Sequence, residues 1–191
     1  MAEQQCDVIE VLEHDHREVE QMFAELESLR GASTDEEKSR RKELTEQVTI
    51  ELVRHSVAEE VIVYPRVEDK VSAEEVEHAR EEHAEAEETL QRLEKLDADD
   101  PDFDEELATL MEEIRHHIED EEGEMFTAMR EKLAADELRS LGAAVEAFKK
   151  VAPTRPHPNV PNEALPRAAA GPALSLFDRM RDAASGRGTG D

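Results

Sequence analysis

Hydrophobic residues recur every three or four positions along most of the first 150 residues, the spacing that places them on one face of an α-helix. This periodicity predicts four long helices at about residues 6–30, 36–69, 73–96 and 103–133, and a shorter fifth helix at about 135–150. Residues 31–34 end the first helix and cap the second, Ser72 caps the third, and residues 97–102 form a turn. Short connections between long helices imply antiparallel neighbours, so we predict an all-α, up-down antiparallel four-helix bundle with a short extra helix.

Polar residues interrupt the apolar face of each long helix near its middle. In the second helix, for example, that face consists of Val48, Leu52, His55, Glu59 and Ile62. Each of the four helices places one histidine on this core-facing stripe, and the four are His16, His55, His83 and His117. In the second and fourth helices a glutamate, Glu59 or Glu121, follows four residues after the histidine, one turn away on the same face.

Such a layer of histidines and glutamates predicts a metal site. Buried imidazoles and carboxylates destabilise a bundle unless another group compensates for their lost hydration. Imidazole nitrogen and carboxylate oxygen are ligands for iron, zinc and manganese, and two carboxylates flanked by histidines can bridge two cations. The remaining N–H of each imidazole then needs an acceptor outside the metal, and acidic neighbours are plentiful in this chain.

An internal repeat supports this interpretation. Residues 7–68 resemble residues 75–132, so that His16 corresponds to His83, and residues 55–60 correspond to residues 117–122. Tyr64 corresponds to Phe126 in the same alignment. Two helical hairpins related by a pseudo-twofold axis would bring the candidate ligands together at the centre.

Several further residues are weaker candidates. Four histidines lie off the stripe and are predicted to be solvated: His14, His78, His116 and His157. Glu20 and Glu87 lie at the edge of the stripe, four residues after a stripe histidine; we interpret Glu20 as solvated and keep Glu87 as an additional candidate ligand. Tyr64, just over one turn past Glu59, is predicted to line the site, and direct ligation by it stays an alternative. Cys6 is interpreted as a packed or free thiol.

The charge of the chain restricts the classes of partner that it can bind. The chain has 23 basic and 50 acidic residues and a net charge of −27, which argues against binding to nucleic acid or to anionic membranes. No stretch approaches about 18 consecutive apolar residues, so no transmembrane helix is predicted. The first residues show no signal-peptide pattern, and the single cysteine fits a reducing, cytoplasmic compartment. We expect a small molecule as the ligand.

The amino-acid composition of the chain changes near residue 150, where proline becomes frequent. Six of the eight prolines fall between Pro153 and Pro172. We therefore predict a bundle domain over residues 1–150 and a Pro/Ala/Gly-rich, flexible and largely disordered tail over residues 151–191. Leu174, Phe177 and Met180 suit one short amphipathic helix within the tail, and a protein partner bound through the tail stays an alternative.

The pattern H…H-x-x-x-E…H…H-x-x-x-E resembles the hemerythrin-like family, the HHE cation-binding domains. The match covers about residues 7–133 and rests on residues 15–16, 55–60, 64–65, 82–83, 117–122 and 126. The resemblance implies a non-heme diiron site with an oxo or hydroxo bridge, whose ligands correspond to residues of this chain. On that basis His16 and His55 bind one iron, His83 and His117 bind the other, and Glu59 and Glu121 bridge them.

The sequence departs from the oxygen-carrying hemerythrins at two ligand positions. Those proteins have His-x-x-x-His on the third helix, whereas here Glu87 follows His83 by four residues. They also place a bridging Asp five residues after the last histidine, whereas Glu121 follows His117 by four. Loss of one imidazole opens a coordination position or fills it with the Glu87 carboxylate. A carboxylate stabilises ferric iron, which argues against reversible oxygen carriage.

Related bacterial proteins are associated with oxygen or redox sensing, peroxide breakdown, the response to nitric oxide and iron handling. The resemblance therefore implies a diiron protein that reacts with a small oxidant, H₂O₂ in a catalase-like cycle or O₂, in oxidative-stress defence. The alternative is a module that binds, senses or stores iron, O₂ or NO without turnover, so enzymatic activity stays open. Iron is expected, although nitrogen and oxygen ligands also suit manganese and zinc.

Overall fold

The computed structural model describes residues 6–156, and this part of the chain is helical without any strand. The helices are α1 (Val8–Ser28), α2 (Asp35–Ala58), α3 (Tyr64–Lys70), α4 (Ala73–Leu93), α5 (Phe103–Asp120), α6 (Phe126–Lys132) and α7 (Ala135–Lys149). The predicted all-α four-helix bundle is confirmed: α1, α2 with α3, α4, and α5 with α6 form its four rods, and α7 is the extra helix. His157 and the predicted tail helix lie outside the described residues.

The first three long helices begin at capping side chains. Asp7, Thr34 and Ser72 each accept the backbone N–H of the residue three positions later, which satisfies an amide that would otherwise lack a partner. After α1 the chain turns at Gly31, whose φ of 74° lies in the left-handed region that glycine adopts without strain. These local signals explain why the sequence predicted the first boundaries closely.

Two of the four rods contain a π-helical segment of five residues. The first, Glu59–Val63, joins α2 to α3, and the second, Glu121–Met125, joins α5 to α6. At their ends the backbone N–H of Tyr64 donates to the carbonyl of Glu59, and that of Phe126 to the carbonyl of Glu121. Periodicity predicted continuous α-helices here, so these wide turns are a finding of the structure. Each π-helical segment begins at a candidate ligand.

The wider turn also shifts the face that points into the core. The sequence predicted Ile62 as a core position, but Ile62 is half-buried and its neighbour Val63 is buried instead. The other predicted stripe positions are buried. The correction at Ile62 follows from the π-helical segment, which contains more residues per turn than an α-helix.

The core consists of two apolar clusters, with the polar layer between them. One cluster includes Leu12, Val67 and Phe126, and the other includes Phe23 and Leu110. Along α1 and α4 the stripe histidine separates the residues of one cluster from those of the other, and in the other two rods the change of cluster falls within about two turns after the histidine. The candidate ligands therefore lie at mid-height in the bundle, away from bulk water.

Helix α7 packs against α1 and α2 at one end of the bundle. Its Gly142 permits this close approach, because a Cβ atom at that position would lie 2.6 Å from the carbonyl oxygen of Cys6 and 2.9 Å from the backbone nitrogen of Val8. Beyond α7, Ala152 and Arg155 are buried, and the Arg155 guanidinium lies 3.1 Å from Glu94. The division of the chain at residue 150 stays a prediction. None of the helices in residues 6–156 is long and apolar enough to span a membrane.

Candidate metal centre

Four histidine side chains, one from each rod, converge in the polar layer. The Nε2 atoms of His16 and His55 lie 3.3 Å apart, and those of His83 and His117 lie 3.1 Å apart. All four residues are buried, with at most 5% of their surface exposed. The structure thus groups the histidines into the same two pairs that the family resemblance implied, one pair in each half of the internal repeat.

Each candidate glutamate contacts one histidine of each pair. Glu59 Oε2 lies 3.2 Å from His55 Nε2 and 3.4 Å from His83 Nε2. Glu121 Oε2 lies 3.5 Å from both His16 Nε2 and His117 Nε2. Ligand atoms of His55, Glu59, His117 and Glu121 all lie within 4.8 Å of one another. Two carboxylates therefore span the two histidine pairs, and the arrangement follows the pseudo-twofold axis that the repeat predicted.

A carboxylate from another rod faces the Nδ1 atom of each histidine. The four contacts are His16–Glu122 at 2.9 Å, His55–Asp15 at 3.2 Å, His83–Glu60 at 3.1 Å and His117–Glu82 at 2.9 Å. Because a carboxylate can only accept, Nδ1 carries the proton, and Nε2 is left facing the centre. Sequence reasoning expected acidic partners without naming them. The signal was present, since the repeat places an acidic residue before His16 and His83 and after Glu59 and Glu121.

Buried carboxylate oxygens in the centre lack hydrogen-bond donors within residues 6–156. Glu59 is fully buried, and its Oε1 atom accepts no hydrogen bond from that part of the chain. Burial alone would raise the pKa of Glu59, but His55 and His83 hold it well below its usual range, so the side chain stays a carboxylate. An unsatisfied, charged oxygen in the interior is destabilising. A cation would satisfy it, and the surrounding imidazole and carboxylate donors fit iron, manganese or zinc.

The pKa values of two histidines show how the centre is balanced without a cation. Burial lowers the pKa of both imidazoles, but the adjacent carboxylates outweigh this effect. Glu59 and Glu60 raise the pKa of His83 to about 9, and Glu59 and Asp15 raise that of His55 well above its usual range. Protons on the histidines therefore neutralise the buried carboxylates, and a bound cation would displace those protons.

Two aromatic rings pack against the histidines and distinguish the halves of the centre. The Tyr64 ring stacks on His83 with centroids 5.6 Å apart, and Phe126 stacks on His16 with centroids 5.9 Å apart. The Tyr64 hydroxyl oxygen lies 3.1 Å from Glu121 Oε1, 3.3 Å from His83 Nε2 and 3.4 Å from Glu59 Oε2.

Burial and the nearby carboxylates of Glu121 and Glu59 raise the pKa of Tyr64 well above its usual range, so the phenol keeps its proton and donates it in a hydrogen bond. At the equivalent place in the other half, Phe126 has no hydroxyl. The centre therefore has a single hydroxyl donor of this kind, on the side of His83.

The first π-helical segment explains why Tyr64 faces the centre together with Glu59. In an α-helix of 3.6 residues per turn, side chains five positions apart point about 140° away from each other. The wider i→i+5 turn reduces this angle and brings Tyr64 over the face that carries Glu59. Sequence reasoning predicted that Tyr64 lines the site but did not foresee the turn that places it there.

Lys149 of α7 supports the centre indirectly. Its Nζ atom lies 2.6 Å from Asp15 Oδ1, while Asp15 Oδ2 is the acceptor for His55 Nδ1. Burial alone would raise the pKa of Asp15, but His55 and Lys149 outweigh it and lower the pKa, so Asp15 stays charged. Sequence reasoning missed this residue, because nothing local to α7 indicates that it reaches α1.

The other sequence candidates are placed as follows. Glu87 is buried on α4, one turn past His83, and its ligation stays a prediction. Glu20 pairs with Arg115 at 3.0 Å.

His14, His78, His116 and Cys6 are exposed, as expected of solvated positions and a free thiol. Of the adjacent histidines on α5, the buried one is His117, as the stripe predicted.

A small cavity lies beside the centre. It has a volume of about 130 Å³ and lies between α4 and the second π-helical segment. Its lining runs from exposed His78 through Glu82 to buried Glu121. The cavity therefore adjoins one of the two glutamates that span the histidine pairs.

Comparisons with known proteins agree with this geometry. The sequence model of the hemerythrin HHE cation binding domain matches residues 7–129. A hemerythrin-like protein of Schizosaccharomyces pombe is 34% identical over 139 residues, which cover 71% of this chain and 68% of that protein. A DNA nickase of Nostoc is 25% identical over 146 residues, covering 76% of this chain but 40% of that protein.

Among solved structures, a hemerythrin HHE cation binding domain-containing protein from Mycobacterium kansasii is similar in fold. The TM-score is 0.63 at 23% identity, and the match covers 76% of this chain and 88% of that one.

Proposed function

The chain belongs to the hemerythrin HHE cation-binding domain family, and from that premise we propose that it holds two non-heme iron ions and reacts with a small oxidant, H₂O₂ or O₂. One observation carries the proposal. Glu59 and Glu121 each contact one histidine of each pair, so two carboxylates span two adjacent cation positions. We further propose that the reaction is catalase-like and serves oxidative-stress defence in the cytoplasm.

The six central residues take distinct roles in this proposal. His16 and His55 would hold one iron through Nε2, and His83 and His117 would hold the other. Glu59 and Glu121 would bridge the two ions together with an oxo or hydroxo group, as the family resemblance implies. When bound, iron would supply the redox chemistry, by passing electrons from one peroxide molecule to another.

The outer carboxylates prepare the histidines for this task. Each one holds the Nδ1 proton of its partner, which fixes the ring orientation and makes Nε2 a better electron-pair donor. Glu60 is fully buried beside His83, and Asp15 is buried beside His55, so the orientation of these rings is set by protein groups and not by solvent.

Tyr64 is the group best placed to deliver a hydrogen bond to an oxidant in the centre. Its hydroxyl oxygen lies within 3.4 Å of atoms of His83, Glu59 and Glu121, and it keeps its proton because burial and these carboxylates raise its pKa. Catalase-like turnover converts two H₂O₂ into two H₂O and one O₂: one peroxide is reduced with cleavage of its O–O bond, and the other is oxidised. A fixed O–H donor favours that cleavage, since the departing oxygen gains negative charge.

Access to the centre restricts the size of the substrate. The cavity that Glu121 lines has a volume of about 130 Å³, and the six central residues are each at most 5% exposed. Such a site admits a diatomic molecule or peroxide and excludes organic substrates of ordinary size. The proposal does not extend DNA nicking to this chain, because the match spans 40% of the Nostoc relative and the chain carries a net charge of −27.

The test is to load the purified protein with ferrous iron, remove free iron, and measure both iron per chain and O₂ evolution from H₂O₂. We expect two irons per chain and O₂ evolution well above that of the same amount of free iron. The Glu59→Gln variant, prepared in the same way, should lose both. One metal per chain, or zinc alone, would contradict the two-iron centre. Two irons without O₂ evolution would contradict turnover and favour the alternative, a module that binds, senses or stores iron, O₂ or NO.

A further inference from the structure

A second group of metal-ligand side chains lies at the surface between α4 and α5. His78 Nε2 lies 3.6 Å from Glu82 Oε1 and 3.4 Å from Asp120 Oδ2. His116 Nδ1 lies 3.2 Å and 3.5 Å from the same two oxygen atoms. The two histidines are exposed, and the two carboxylates are half-buried. We call these four residues the outer site.

The distances from the histidine nitrogens to the carboxylate oxygens of the outer site suit a cation site. Both histidine nitrogens face both carboxylate oxygens at 3.2–3.6 Å. In a tetrahedral zinc site with bonds of about 2.0–2.1 Å, neighbouring ligand atoms lie about 3.3 Å apart. Ligand atoms of His78, Glu82 and Asp120 all lie within 4.8 Å of one another, so a cation among these three would need little movement of the side chains, whereas His116 would have to move toward His78 to complete the site. Two imidazoles and two carboxylates suit Zn²⁺ and other divalent first-row metals.

An ordinary surface ion pair looks different. His14 and Glu18 on α1 form one such pair at 3.4 Å, with both side chains exposed and one carboxylate for one histidine. In the outer site, histidines from two helices converge on the same two carboxylates. His14 therefore serves as a matched control. It is also an exposed histidine paired with an acidic residue, but it faces only one carboxylate.

The outer site is connected to the buried centre in two ways. Glu82 faces the outer histidines with Oε1, while its Oε2 accepts the Nδ1 proton of His117 at 2.9 Å. In addition, His78, Glu82 and Asp120 line the cavity of about 130 Å³ that Glu121 also lines. A cation at the outer site would thus be one carboxylate away from the buried ligand His117 and would share a cavity wall with Glu121.

Charge favours the arrival of cations at this place. A second cavity, of about 420 Å³, adjoins the outer site and is lined by four further glutamates, Glu81, Glu85, Glu112 and Glu113. Acidic groups lining a cleft raise the local concentration of cations, and the net charge of −27 adds to the attraction.

We propose that His78, Glu82 and Asp120 bind one divalent transition-metal ion, with His116 as a further donor once it moves toward them, and that this outer site supplies cations to the buried centre past Glu121. Binding at the outer site stands on its own geometry. The supply role rests on the proposed function of the buried centre.

The first experiment counts Zn²⁺ ions bound by the full-length metal-free protein, by titration against a chromophoric chelator. Replacing even an indirect partner of a ligand typically weakens metal binding about 10–100-fold. We therefore expect His78→Gln to bind one Zn²⁺ fewer than wild type, or to bind that ion at least about tenfold more weakly. His14→Gln should bind as wild type does. Equal binding by wild type and His78→Gln, or an equal loss in His14→Gln, would overturn the outer site.

The second experiment follows the uptake of Fe²⁺ in the same three proteins by rapid mixing. His78→Gln should load several-fold more slowly than wild type and His14→Gln, yet retain the same iron content after a chelator has removed iron from the exposed outer site, because the buried ligands are intact. Loading at the wild-type rate would overturn the supply role. Failure of the buried centre itself would show differently, as absence of retained iron in all three proteins, while the one-ion difference in Zn²⁺ binding would persist.

Discussion

The ammonium group of Lys149 lies 2.6 Å from Oδ1 of Asp15, and the other oxygen of that carboxylate holds the Nδ1 proton of His55. Both side chains of this ion pair are at most 17% exposed, so solvent screens the attraction weakly. Helix α7 contributes no candidate ligand, yet through this pair it fixes the orientation of one. The fifth helix is therefore part of the support of the metal centre.

Replacing Lys149 should weaken metal binding without unfolding the bundle. In Lys149→Met the long apolar stem remains, but Asp15 loses its counter-charge and holds His55 less firmly. We expect iron affinity to fall by up to about tenfold, at the low end of the effect of outer partners on metal sites. The measurement is competition for iron against a chelator of known affinity. Lys70→Met is the matched control, since Lys70 pairs with Glu137 of α7 at 2.9 Å and lies outside the centre; an equal effect of both variants would contradict a specific role for Lys149.

Removal of the Tyr64 hydroxyl should impair the reaction and leave the metal in place. Tyr64→Phe keeps the ring that stacks on His83 and makes this half of the centre resemble the other, where Phe126 stacks on His16. We expect two irons per chain as in wild type, and peroxide turnover reduced by about tenfold or more, because the fixed proton donor is lost. Metal analysis and O₂ evolution on the same sample separate the two effects. A fall in iron content would instead indicate that Tyr64 is a direct ligand.

Substitution of Glu59, whose carboxylate spans the two histidine pairs, should prevent binding of both cations. Glu59 contacts His55 and His83, one from each pair, so Glu59→Gln removes negative charge from both positions. We expect retained iron to fall from two per chain toward none, as measured by elemental analysis after gel filtration. Glu20→Gln, the same change at a carboxylate that pairs with Arg115, should retain two. Retention of one tightly bound iron in Glu59→Gln would show that the two positions bind independently.

The metal-free protein should lose stability as the pH rises from about 6.5 to 9. Folding raises the pKa of His83 from 6.5 to about 9, because the Glu59 and Glu60 carboxylates outweigh the opposing effect of burial. Protonated His83 therefore stabilises the fold fully below pH 6.5, and this contribution disappears as the pH passes through 9. Urea unfolding in the presence of a chelator measures the free energy of unfolding across this range.

Iron-loaded protein provides the control for this pH dependence. Cations bind neutral imidazoles, so loading should abolish or reverse the trend, since less proton competition strengthens metal binding at higher pH. A metal-free protein whose free energy of unfolding increased from pH 6.5 to 9 would contradict the assigned protonation of the centre.

Two glycine substitutions should have opposite consequences for thermal stability. In Gly142→Ala the new methyl group meets backbone atoms of Cys6 and Val8 at 2.6 and 2.9 Å, and backbone cannot move aside cheaply. We expect a loss of about 1–3 kcal/mol in the free energy of unfolding, the usual effect of overpacking. At Gly123 nothing lies within 4 Å of the added carbon, and alanine loses less backbone entropy on folding than glycine, so Gly123→Ala should stabilise the fold by up to about 1 kcal/mol. Calorimetry measures the melting temperature of both variants. Equal melting temperatures of Gly142→Ala and Gly123→Ala would contradict the close packing of α7.

Most of the fold and the six central candidate ligands could be predicted from the sequence. Both depend on the spacing of residues within single helices. An α-helix repeats every 3.6 residues, so the positions of His55 and Glu59 relative to their apolar neighbours are enough to assign them to the core face. The same reasoning located the caps at Thr34 and Ser72. The pairing of the histidines across the repeat, in contrast, came from the resemblance to the family, and the structure places the side chains accordingly.

The sequence by itself thus determined the helices, their order and the level at which histidines and glutamates meet, because these are local properties of a periodic chain. Only the tertiary structure decided which carboxylate holds which imidazole, that Lys149 reaches Asp15, and that His78 and His116 share two oxygen atoms, because those contacts join residues far apart in sequence. It also decided the π-helical segment that turns Tyr64 toward the centre. The spacing of apolar residues in the sequence does not reveal that turn. The wider turn changes which residue is buried only at one place, where Val63 is buried instead of Ile62.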